Sequence, residues 1–163
     1  MAVIGDIGKT ENIEVIQRGV KANTAITKGD ICSFDANGYV RLALTTDWAD
    51  VGFAVAIETA ASTAGDGGIN VRLAVGNTWV YILAGGVIKP GNLVKFGSGV
   101  TGDTEVLAHT FAADVSATVS NVDANNAKYA FALAIGRYIA HENEEANATD
   151  AADEDTILVR LGH

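Results

Sequence analysis

Three short stretches of this chain occur twice, in the same order, once in each half of the sequence. The pairs are KGDICSF (28–34) with KPGNLVKF (89–96), FAVAI (53–57) with FALAI (131–135), and INVRLA (69–74) with ILVRLG (157–162). Ordered repetition of this kind predicts two copies of one structural unit. The matches place the copies at about residues 26–76 and 87–163.

The matched stretches are short, apolar or β-branched, and bounded by turn residues, which is the pattern of β-strands. Similar runs fill most of the chain, so the sequence predicts an all-β barrel or sandwich. A unit of three or four strands leaves its sheet edges open and cannot cover its own core. We therefore expect two pseudo-repeated units packed about a pseudo-twofold axis, with Phe34 equivalent to Phe96 and Val71 equivalent to Val159.

The first twelve residues differ from the rest of the chain. Three isolated apolar residues, Val3, Ile4 and Ile7, stand among glycines and charged residues. Such a segment buries too little apolar surface to offset the entropy lost on ordering. It is therefore predicted to be an arm that is disordered in the free protein, ahead of a single β domain over residues 13–163.

Two polar segments interrupt the succession of strands. Residues 111–128 are rich in Ala, Ser, Asn and Asp, and residues 141–155 carry seven acids and no Lys or Arg. Both are predicted to be surface loops inserted in the second unit, and the acidic loop is expected to face solvent and to be mobile. The best signals for short helices lie at residues 45–51 and 112–127.

The charged and reactive residues point away from catalysis. A net charge of −9, from 11 basic and 20 acidic residues, disfavours nucleic acid and anionic membranes as partners. The single cysteine, Cys32, lies in an apolar run and is expected to be a buried thiol. The histidines, His109, His141 and His163, lack the spacing of metal ligands. No catalytic, cofactor-binding or metal residue is predicted, and we do not expect an enzyme.

The sequence contains no apolar run of transmembrane length and no evident secretory signal. We therefore expect the protein to be made in a cytoplasm and to stay there until it meets a partner.

The order of features along the chain resembles the capsid decoration, or head cement, proteins of tailed phages and related viruses. The resemblance rests on ITKGDICSFDANGYVRLA, VGFAVAIETAAS, GDGGINVRLAVG, KPGNLVKF, FALAIGRYIA and the final ILVRLGH, and it covers nearly the whole chain. The long acidic insertion at 141–155 departs from the family pattern.

This resemblance implies a small β-tulip-like body without cofactor or catalysis. It also implies a homotrimer at threefold or quasi-threefold positions on the outer surface of the mature capsid, made in the host cytoplasm. The partner would be the major capsid protein. From the residues of the arm itself, we predict that it makes this contact through Val3, Ile4 and Ile7.

Two other interpretations remain open at this stage. The chain could be another virion part, such as a head fibre base or a tail-tube subunit. A biotinyl or lipoyl carrier domain is also a duplicated β barrel, but AIETAAS lacks the lysine that would carry its cofactor.

Overall fold

The structure is a computed structural model that describes residues 3–8, 13–44, 53–96, 105–108, 134–141, 150–152 and 155–162. It contains ten strands. They are β1 (Glu14–Gly19), β2 (Ile31–Phe34), β3 (Val40–Leu42), β4 (Ala54–Ala56), β5 (Asn70–Val75), β6 (Trp79–Ala84), β7 (Leu93–Phe96), β8 (Glu105–Ala108), β9 (Ala134–His141) and β10 (Thr156–Leu161). The described ranges contain no helix, and both predicted helices lie outside them. The predicted all-β fold is confirmed.

The ten strands form two five-stranded sheets with the same internal order. The first sheet has the order β1-β5-β4-β2-β3, and the second has the order β6-β10-β9-β7-β8. Each strand of the first sheet therefore has its counterpart five strands later in the chain. In the second sheet β8 also pairs in parallel with β6, so the pairings return to the strand where they began. In the first sheet the matching contact is a single parallel bridge between Val20 and Val40.

The predicted equivalences hold at the level of strands. Phe34 ends β2 opposite Val40, and Phe96 ends β7 opposite Val106. The stretches INVRLA and ILVRLG supply β5 and β10, which occupy the same place in their sheets. The repeated unit is longer than the matches indicated, because β1 and β6 also correspond to each other.

The match between FAVAI and FALAI is displaced in the structure. Cys32 pairs with Ala54 in the first sheet, whereas its counterpart Val94 pairs with Gly136 rather than with Ala132, which the match aligns with Ala54. A register irregularity follows Val94 in this ladder. The displacement is an even number of residues, and such a shift keeps side chains on the same face of a strand.

Two hydrophobic clusters fill the body, and their members correspond. The smaller cluster includes Val20, Ile26, Cys32, Ala60, Val71 and Leu73, and their counterparts Ile82, Ile88, Val94, Ala151, Val159 and Leu161 lie in the larger one. All twelve are buried. The larger cluster also contains Ile31, Ala43, Val55 and Ala74 from the first unit, so the two units pack against each other.

The acidic segment 141–155 lies mostly outside the described residues, as does 111–128. Its described part includes an antiparallel bridge between Ala151 and Ile88, which corresponds to the bridge between Ala60 and Ile26 in the first unit. The exposure and mobility of the rest of this loop stay predictions.

Candidate functional site

Residues 3–8, which we call the arm, lie along one edge of β6. The Gly5 N–H donates to the Tyr81 carbonyl oxygen at 2.7 Å, and the Tyr81 N–H donates to the Asp6 carbonyl oxygen at 3.0 Å. The Gly8 N–H donates to the Trp79 carbonyl oxygen at 2.8 Å. These bonds make the arm an antiparallel extension of the second sheet. The arm and β8 share this edge of β6, since β8 pairs only with its last two residues.

The arm also contacts the first unit. Gly5 has a φ of +82°, and a Cβ atom there would lie 2.8 Å from the Ala56 carbonyl oxygen. Gly29 has a φ of +94°, and a Cβ atom there would collide with the Ile4 side chain. Both glycines are therefore required for the close approach of arm and body. The arm thus joins the two units along the outside of the molecule.

One ion pair joins the arm to Lys28, the first residue of the repeated stretch KGDICSF. The Asp6 carboxylate accepts a hydrogen bond from the Lys28 ammonium and a second one, at 3.0 Å, from the Val3 N–H. These two bonds, with the Lys28 bond the larger cause, lower the pKa of Asp6 below its ordinary value. Both partners are partly exposed, so the pair adds little stability and weakens as salt is added.

The three apolar arm residues have different surroundings. Val3 is 56% exposed, whereas Ile4 and Ile7 are partly buried against the protein's own body. Ile7 forms an antiparallel bridge with Val80. The expectation of an arm that is disordered in the free protein is therefore corrected for residues 3–8. The arm is ordered because its backbone forms hydrogen bonds with β6, and the side-chain pattern of the sequence does not reveal these bonds. Residues 1–2 and 9–12 lie outside the described ranges.

Thr78 organises the junction between the two units. Its side chain is buried, and its hydroxyl accepts a hydrogen bond from the Glu14 N–H at 2.8 Å and donates to the Val75 carbonyl oxygen at 2.7 Å. The Leu161 N–H donates to the Thr78 carbonyl oxygen at 2.9 Å. Thr78 therefore forms hydrogen bonds with the start of β1, with the end of β5 and with β10. No sequence motif marked it.

A cleft of about 540 Å³ opens beside this junction. Ile13, Glu14, Asn77, Trp79 and Arg160 line it. The Arg160 Nε is buried, and no described residue is its hydrogen-bond partner. The cleft combines a cation, a carboxylate and an indole, but no nucleophile lies beside a base there. Sequence analysis missed it because its residues come from three separate parts of the chain.

Two buried groups of the first unit have shifted pKa values. The expectation of a buried cysteine is confirmed, and burial raises the pKa of the Cys32 thiol. Burial also raises the pKa of Asp30, although the Thr27 N–H partly offsets this by donating to its carboxylate at 2.7 Å. Asn92, the counterpart of Asp30, accepts the same bond from the Lys89 N–H at 3.0 Å.

Metal-binding residues do not gather anywhere in the described ranges, where no group of three or more His, Cys, Asp or Glu side chains could hold an ion. His141 ends β9, and His109 and His163 lie outside these ranges. The described part of the chain also has no helix with the length and apolar character needed to cross a membrane.

Comparisons with known proteins add little. No family model matches the sequence, and no curated protein matches it. Among solved structures, the chain is similar to the N base of the head fibre protein gp8.5 of bacteriophage phi29. The TM-score is 0.48 and the identity is 10%, over 91% of this chain and 95% of that chain. A likeness of this size carries no argument about function.

Proposed function

We propose that this chain is a structural protein of the virion of a tailed phage or a related virus. In this proposal it binds the outer surface of the mature capsid and stabilises the contacts between major capsid proteins, without catalysis. The order of sequence features that resembles the head cement proteins supports it. The observation that carries it is the arm, which is hydrogen-bonded along one edge of β6 and leaves Val3 exposed.

The arm can extend its sheet further on the capsid. The Asp6 carbonyl oxygen and the Gly8 N–H bond to β6, so the backbone N–H and carbonyl of Ile7, between them, face away from that strand. An extended segment of the major capsid protein can pair with this edge, with its backbone hydrogen bonds supplying affinity. Val3 is the exposed apolar contact of the arm, and its burial contributes about 1.5–3 kcal/mol before entropy is subtracted.

The charge of the protein fits a surface role on a particle. With a net charge of −9, an array of copies repels other anionic surfaces and nucleic acid in solution. The homotrimer that the resemblance implies stays a prediction, and image reconstruction of decorated heads tests it.

A head-binding assay with two matched variants tests the proposal. Val3→Asp places a charge on the exposed arm residue, and Val87→Asp places the same charge on another exposed valine, 69% exposed, outside the arm. Neither change disturbs a buried residue, so both variants should fold. We expect wild type and Val87→Asp to bind expanded, DNA-free heads but not unexpanded procapsids. Val3→Asp should bind heads at least tenfold more weakly, because about 1.4 kcal/mol corresponds to tenfold.

The position of the bound protein separates this proposal from its alternatives. Density on the capsid shell at the junctions of major capsid proteins is the expected result. Density only at the root of a fibre or in the tail would replace the proposal with the head fibre base or tail-tube interpretation. Equal binding by Val3→Asp and wild type would show that the arm does not make the contact.

A further inference from the structure

The outer edge of β1 (Glu14–Gly19) differs from the corresponding edge of β6. Each strand stands beside its sheet partner, β5 or β10, on one side. On the other side the arm covers β6, whereas no described strand pairs with β1 along Glu14–Gly19. An unpaired strand edge is a template for another extended segment.

The direction of the backbone groups shows which atoms are available at this edge. The N–H groups of Glu14 and Val20 point toward β5, where they donate to the Thr78 hydroxyl and to the Ile69 carbonyl oxygen, each at 2.8 Å. Because these directions alternate along a strand, the backbone groups of Val15 and Gln17 point outward. At this edge the Gln17 carbonyl oxygen accepts a bond from the guanidinium of its own neighbour Arg18, at 2.9 Å.

The sequence of β1 is complementary to itself when read in the opposite direction. If two copies of EVIQR (14–18) run antiparallel with Ile16 opposite Ile16, Glu14 of each copy lies opposite Arg18 of the other. In the same register Val15 lies opposite Gln17, so the outward-pointing backbone groups meet. Glu14, Ile16 and Arg18 then occupy the positions without hydrogen bonds, where facing side chains approach most closely. Opposite charges placed there stabilise the pairing.

We propose that two copies of this chain associate by pairing their β1 strands antiparallel about a twofold axis at Ile16. The pairing joins the two first sheets into one continuous sheet. It also covers the Ile16 side chain, which is partly buried and packs against the smaller hydrophobic cluster. In the same register Ile13, 41% exposed, lies opposite Gly19, beside which the Tyr39 ring stands.

A second copy fits this edge better than an unrelated strand. An unrelated strand would need an acidic residue opposite Arg18, a basic residue opposite Glu14 and an apolar residue opposite Ile16. A second copy of β1 has all three residues at the required positions. The contact uses the same edge on both copies, so two copies saturate it. It therefore differs from the threefold contact that the family resemblance implies, and it concerns the free protein, independently of capsid binding.

Mass measurement of the full chain in solution tests the pairing. We expect a concentration-dependent species of twice the 16.8 kDa chain mass in sedimentation or native mass spectrometry. Arg18→Glu places two carboxylates opposite each other at both ends of the contact, and it should abolish the dimer. The double variant Glu14→Arg/Arg18→Glu restores opposite charges and should recover it. A monomer at all concentrations, a trimer, or a dimer unaffected by Arg18→Glu would overturn the proposal.

Cysteine cross-linking fixes the register. Ile16→Cys places two thiols opposite each other across the twofold axis, at about 4.5 Å between Cα atoms, within reach of a disulfide. Arg18→Cys is the matched control, because its thiol faces position 14 of the other copy. We expect oxidation to give a covalent dimer with Ile16→Cys and little with Arg18→Cys, while the buried Cys32 stays reduced. Equal cross-linking of both variants would contradict this register.

Discussion

The two units of this protein share their strand order but differ at their outer edges. In the second unit β6 is covered by the arm and by β8, so β6 itself is not an edge strand. In the first unit β5 is the one described strand that pairs with β1 along Glu14–Gly19. The comparison teaches that the two units share their core and their topology, while their outer edges are occupied differently.

The interiors of the two units are similar to each other, in contrast to their outer edges. Buried positions keep their apolar character from one unit to the other, as with Ile26 and Ile88 or Val71 and Val159. Where the chemistry differs, as between Cys32 and Val94 or Asp30 and Asn92, the local bonding or burial is still retained. Packing density constrains the core, whereas an exposed edge has to satisfy only solvent or a partner.

The largest expected effects concern the equivalent core residues Ile26 and Ile88. Each is fully buried, so truncation to Ala leaves a cavity and should cost about 2–5 kcal/mol of unfolding free energy. Ile88→Ala should cost at least as much as Ile26→Ala, because its cluster also holds the first unit against the second. Denaturant unfolding followed by circular dichroism measures both. Val87→Ala, at an exposed position, is the control and should change stability by less than about 0.5 kcal/mol. A cost confined to one of the two core variants would show that the units are not packed equivalently.

The next effect concerns the junction that keeps the units in contact. Thr78→Val retains the shape of the side chain but removes the hydroxyl that serves Glu14 and Val75. The Glu14 N–H then loses its acceptor, which should cost about 1–3 kcal/mol. Thr78→Ser keeps the hydroxyl and should retain more of the stability. Unfolding curves of the three proteins test this, and equal losses in the Ser and Val variants would mean that packing, not hydrogen bonding, holds the junction.

The smallest expected effect is the pH dependence of stability caused by Asp30, whose counterpart in the second unit is Asn92. Burial raises the pKa of Asp30, so the folded protein binds this proton more tightly than the unfolded chain does. By linkage, this group lowers stability as the pH rises from the ordinary Asp value of 3.8 through the raised folded value. Asp30→Asn removes that dependence, while its amide oxygen can still accept the bond from Thr27. Unfolding free energies between pH 3 and pH 7 should show the variant gaining on wild type as the pH rises. Parallel curves would mean that the carboxylate has no net burial cost.

The strands could be predicted from the sequence because each has a strong local signal. The repetition of the VRL strands also revealed the internal equivalence, including Val71 with Val159. The correspondence of β1 with β6 could not be found in this way, since EVIQRG and WVYILA share only their place in the sheet. The position of the arm on β6 was not predicted, because backbone hydrogen bonds do not require a particular pattern of residue types in the sequence. The cleft at Arg160 and the role of Thr78 depend on contacts between distant segments, which a linear pattern does not encode.

The binding of the arm to β6 affects the order in which parts of the chain can fold during synthesis. Residues 3–8 are made before both sheets, but Trp79–Ala84, against which they lie, is made only after all five strands of the first sheet. That sheet can assemble from contacts within residues 14–75 while the arm still lacks the strand to which it binds. During this interval Val3, Ile4 and Ile7 are open to chaperones and to other nascent chains. Residues 3–8 are thus made before the two sheets but reach their final position after the first sheet has formed.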